Sequence, residues 1–80
     1  MSREKIFDEM KKIFRDVFED EALEINNETN AEDIEDWDSL EQINLLIAME
    51  KKFEIKFNIN EVVALENVGD MAELIFRKVQ

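Results

Sequence analysis

Eighty residues without a proline, and with a single glycine, leave few places where a helix must break. Glu, Lys, Leu, Ile and Met, which enter helices readily, are plentiful. The expectation is an all-α fold whose helix ends are set by side-chain caps. Apolar residues make up 45% of the chain, enough for a compact core and too many for a disordered acidic tail. The length suits one domain over 1–80, with no room for a second core.

Periodicity divides the chain. Ile6, Phe7, Met10, Ile13, Phe14, Val17 and Phe18 fall on one stripe, which predicts an amphipathic helix from Arg3 to Phe18. The pattern lapses from Glu19 to Asp38, where Leu23, Ile25 and Ile34 are the expected anchors of a loop of some twenty residues. Its Asn-rich, acidic character invites a calcium-loop reading, but the Asp-x-Asp-x-Asp-Gly pattern and its turn glycine are missing. A second helix is expected from Asp38-Ser39 to Phe53, with a capping box of either Asp38 and Glu41 or Ser39 and Gln42. Phe53, Ile55 and Phe57 should pin a connector. Asn60 is the expected cap of a short helix over Glu61–Leu65, and Asn67 of a last helix through Val79. Arg77 and Lys78 sit in the final turn, where positive charge suits the dipole. Three longer helices and one short one make a small four-helix bundle.

The composition also limits the chemistry. Without Cys there are no disulfides or thiolate metal sites, and without His the commonest general base is missing. Asp and Glu outnumber Lys and Arg by 21 to 10, a net charge of −11 that repels nucleic acid and anionic lipid and favours basic partners. The bland reading of that charge is solubility alone. The first residues turn amphipathic at once, and no run is long and apolar enough to span a membrane, so a cytoplasmic protein is expected.

The second helix is unusual in carrying two apolar stripes. Leu45, Leu46, Met49 and Phe53 suit a core, while Leu40, Ile43 and Ile47 form another stripe. Either the helix is central or the second stripe faces a partner or ligand. Ser39, at its start, would ordinarily be read as a cap. However, Trp37-Asp38-Ser39-Leu40 before an apolar helix resembles the Asp-Ser-Leu attachment motif of acyl carrier proteins. The similarity continues through Ile43-Asn44-Leu45-Leu46, Glu50-Lys51-Lys52-Phe53-Glu54-Ile55 and Asn67-Val68-Gly69-Asp70.

That resemblance implies a carrier with no turnover of its own. A phosphopantetheinyl transferase would move 4'-phosphopantetheine from coenzyme A to the Ser39 hydroxyl, between Asp38 and Leu40, and the arm's thiol would hold acyl groups as thioesters. It also implies a recognition face in which Glu41, Ile43, Ile47, Glu50 and Val62 meet the basic patches of acyl-loading and acyl-processing enzymes, with the carrier a monomer. Fatty-acid and polyketide biosynthesis are the pathways suggested. Each residue has a plainer role: capping for Glu41, solvation for Glu50, core packing for Val62. Asp36 stands where the family usually has Gly, Trp37 is bulkier than the common residue, and Asn44, Lys51 and Lys52 replace positions that are often acidic. Partners other than the housekeeping fatty-acid enzymes are therefore expected. The competing reading is a small acidic adaptor that grips a partner through Leu40, Ile43 and Ile47, with Ser39 only a cap. A carboxylate hydrolase lacks any distinctive pair of acids.

Overall fold

The computed structural model describes all 80 residues as four helices: α1 (Arg3–Val17), α2 (Ser39–Phe53), α3 (Ile59–Val63) and α4 (Val68–Lys78). Helix α1 is the hub, packing against both α2 and α4. Its Ile6, Met10 and Phe14 are fully buried and meet Leu45 and Met49 of α2 and Val68, Met71 and Ile75 of α4 in one core. The expected loop anchors hold: Ile25 and Ile34 enter that core, and Leu23 packs on its margin. The connector after α2 is likewise fixed by Phe53, Ile55 and Phe57.

Side chains start every helix. Ser2, Asp38, Asn58 and Asn67 each accept from the backbone N–H three residues on. The short helix differs from expectation: it begins two residues earlier, with Asn58 and not Asn60 as its cap. Asn58 has Glu61 at the third helical position, so the two form a reciprocal capping box, whereas Asn60 would have had only Val63 there. Lacking glycine for the purpose, α2 ends on Glu54 in the left-handed region at φ 55°.

Three ion pairs tie the helices together. Glu9, nearly buried on α1, holds Lys52 of α2 at 3.0 Å and Lys12 at 3.3 Å, so its carboxyl lies below the usual range, chiefly through the Lys52 bond. Arg3 grips both carboxylate oxygens of Glu73 on α4 at 3.1 Å, and Glu73 is lowered in consequence. Glu61, lowered first by the Asn58 N–H and then by Lys78, joins α3 to α4.

The long loop has its own internal order. Asn26 Oδ1 accepts from the Glu28 N–H and Asn30 Oδ1 from the Glu32 N–H, both at 2.8 Å, while the buried Thr29 accepts from the Asn26 N–H at 2.9 Å. The asparagines that suggested a calcium loop are thus building turns. The loop is then stitched to the start of α4, where the Val68 N–H donates to Thr29 O at 2.8 Å and the Gly69 N–H to Asn27 O at 2.9 Å. A Cβ on Gly69 would lie 2.8 Å from Asn27 O, which explains why the one glycine stands there.

Candidate functional site

The residue that fixes the start of α2 is Trp37. Its indole meets Phe14 edge-on with ring centroids 5.3 Å apart, lies 6.2 Å from Phe18, and donates through Nε1 to Gln42 Oε1 at 2.7 Å. The two residues before Ser39 are therefore anchored to the end of α1 and to the first turn of α2.

This arrangement resolves the capping ambiguity. Asp38 is the cap, its Oδ1 accepting from the Glu41 N–H at 2.9 Å, and Gln42 is occupied by Trp37. Ser39 becomes the first helical residue. Its role as a mere cap, on which the adaptor reading leaned, is thereby overturned. The hydroxyl is exposed and makes no hydrogen bond within the chain. The backbone N–H groups of Ser39 and Leu40 also have no acceptor in the chain. A helix start that keeps two N–H groups free and points the positive end of its dipole outward suits an anion.

The second apolar stripe faces solvent. Leu40 is 66% exposed, Ile43 53% and Ile47 45%. The other stripe packs inward as expected, with Leu45, Met49 and Phe53 buried and Leu46 partly so. Glu41 does not close a capping box, because its carboxylate accepts instead from Asn44 Nδ2 at 2.7 Å. Glu50, half-buried, accepts from the Phe57 N–H at 2.8 Å and so fastens the connector to α2, which is more than simple solvation. Val62 is partly buried, whereas its neighbours Ile59 and Val63 are 78% and 74% exposed. Those two were not foreseen. Placing the cap at Asn58 would have found them, since it sets Ile59 and Val63 one turn apart on one face. An open groove lies elsewhere, between the first turns of α1, the loop at Asn26 and the start of α4, and does not include Ser39.

An exposed hydroxyl thus stands at an open helix start, beside an apolar face. The phosphopantetheine attachment site family matches this chain over residues 8–75. An acyl carrier protein from Coprothermobacter proteolyticus is 32% identical over 75 residues, covering 94% of this chain and 92% of that protein. The solution structure of holo acyl carrier protein from Geobacter metallireducens superposes with a TM-score of 0.86 at 43% identity, covering 90% of this chain and 83% of that one. The chain belongs to the acyl carrier protein family. It is a phosphopantetheine-bearing carrier and not an enzyme, and the family implies a phosphopantetheinyl transferase and acyl-handling enzymes as partners.

The residues present fit that group. When bound, phosphopantetheine supplies the thiol that a chain without Cys lacks. The free N–H groups of Ser39 and Leu40 would face its phosphate, and Asp38 would hold the helix start in place around it. No helix is long and apolar enough to cross a membrane.

Proposed function

We propose that Ser39 is the residue that receives the 4'-phosphopantetheine arm, in a single carrier domain that presents acyl groups to enzymes of fatty-acid, polyketide or related biosynthesis. The observation that carries the assignment is the unbonded, exposed Ser39 hydroxyl at the first position of α2, next to two N–H groups with no acceptor in the chain. Asp38 sets the helix start and offers its second oxygen to the transferase, while Leu40 begins the apolar face that partners contact. Ile43 and Ile47 extend that face, with Glu41, Glu50 and Val62 on its margins. Contacts of this kind suit a monomeric cytoplasmic carrier that meets basic enzyme surfaces briefly, and a net charge of −11 disfavours nucleic acid.

Intact mass before and after incubation with coenzyme A, magnesium and a broad-specificity phosphopantetheinyl transferase tests the assignment. One pantetheinyl addition is expected on the wild type and none on Ser39→Ala, with the melting temperature of the variant unchanged because the exposed hydroxyl makes no hydrogen bond within the chain. An addition that survives in Ser39→Ala would place the arm elsewhere.

A further inference from the structure

The negative charge is unevenly placed. Ten of the chain's 21 acidic residues lie in 19–38, a stretch without Lys or Arg. Helix α2 holds two acids, Glu41 and Glu50, against Lys51 and Lys52, and is neutral overall. Even those acids are partly engaged, Glu41 with Asn44 and Glu50 with the Phe57 N–H. The exposed stripe through Leu40, Ile43 and Ile47 runs on to Lys51, about 18 Å from Ser39 along the helix. Beyond it, Glu54 and Lys56 balance one another. At the Ser39 end the picture is different. Glu32, Glu35 and Asp36 are exposed, and their carboxylates make no hydrogen bond or ion pair within the chain. Trp37 fixes the chain that carries them onto α1.

We infer that the surface docking the phosphopantetheinyl transferase is divided by chemistry, with the loop over 32–38 supplying the electrostatic steering and the exposed face of α2 supplying apolar contact. The inference rests on Ser39 being the attachment residue. The occupant follows from the donor it must hold. Coenzyme A carries several phosphates, so an enzyme that binds it has basic groups around its site. Those groups must come close to the accepting hydroxyl, and Glu32, Glu35 and Asp36 stand three to seven residues before Ser39 in the chain. An apolar stripe continuous with that hydroxyl then completes the contact. A helix of no net charge, with Lys51 and Lys52 in its last turn, contributes no steering of its own.

The test is kcat/KM for loading Ser39 with a broad-specificity transferase, read by intact mass at low and at high salt. In E32Q/E35Q/D36N it should fall about tenfold at low salt, with a flatter salt dependence than the wild type. Removing the same charge from the opposite end of α1 and the loop beside it, in E4Q/D8N/E28Q, should change it less than about twofold, and E41Q, on the margin of the contact face, should cost less than the loop variant. The melting curve of the loop variant should match the wild type, since the carboxylates of Glu32, Glu35 and Asp36 have no internal partner. Equal losses in the two triple variants would mean that only total charge matters, and a full-sized loss in E41Q would return the steering to α2. Either result, or a loop variant as fast as wild type, overturns the inference. Loading that persists in Ser39→Ala would instead remove the attachment assignment beneath it.

Discussion

Helices α2 and α4 begin alike and end up serving opposite purposes. Each is capped by a short polar side chain that accepts from the third N–H, Asp38 at 2.9 Å and Asn67 at 2.8 Å. At α4 the next two N–H groups are closed off, Val68 by Thr29 O and Gly69 by Asn27 O. At α2 the corresponding groups, on Ser39 and Leu40, find no acceptor in the chain. The second helical residue is glycine where a loop must press against the helix, and an exposed leucine where it must not. Cap chemistry alone therefore does not reveal a binding end. What matters is whether the rest of the fold consumes the N–H groups behind the cap.

The strongest way to break this contrast is to put a methyl group at the second position of each helix. Gly69→Ala drives a Cβ to 2.8 Å from the Asn27 carbonyl, a backbone atom that cannot swing away. A loss of about 1–2 kcal/mol in urea unfolding is expected, since overpacking outweighs the better helix propensity of Ala. Leu40→Ala should stay within about 0.5 kcal/mol, because its side chain is mostly in solvent. Equal losses would mean that the two ends are not distinct in packing.

A smaller effect comes from the caps. Asn67→Ala and Asp38→Ala should each lose about 1 kcal/mol. Only Asp38→Ala should slow pantetheinyl loading, measured by intact mass, while Asn67→Ala should load at the wild-type rate once folded. The smallest effect sharpens the comparison through pH. Glu9 ties α2 to α1, while Glu73 and Glu61 tie α4 to its neighbours, and all three carboxyls are lowered in the fold. A carboxyl lowered by folding adds stability that is complete above the ordinary carboxylate range and is lost as pH falls through its folded value. Melting temperature should therefore drop on acidification. Glu9→Gln should flatten part of that slope, and an unchanged slope would show that the Lys52 pair contributes nothing.

Much of this was legible in the sequence, and the limits have physical causes. The stripe of α1, the bounds of α2 and the cap at Asn67 follow from period and capping chemistry, which are local. The exposed stripe through Leu40, Ile43 and Ile47 also follows from helical spacing, and the family is legible because an Asp-Ser-Leu motif at a helix start is a short linear signal. The start of α3 was placed two residues late because Asn58 and Asn60 are both competent caps, and only Glu61 chooses between them. The clamp by Trp37, the use of Glu50 to hold Phe57 and the need for Gly69 depend on contacts between segments far apart in the chain. No window of sequence contains them.

The stitch between the loop and α4 has a consequence in time. Its two hydrogen bonds join Asn27 to Gly69 and Thr29 to Val68, positions 42 and 39 apart in the chain. Contacts of such separation form only after the intervening segments have been brought together, and so they come late in folding. On a ribosome the serine would emerge long before the residues that brace the loop leading to it. Until position 69 has been added, that loop lacks its two backbone bonds to α4. A transferase that reads the finished loop would thus act on completed domains and pass over nascent ones.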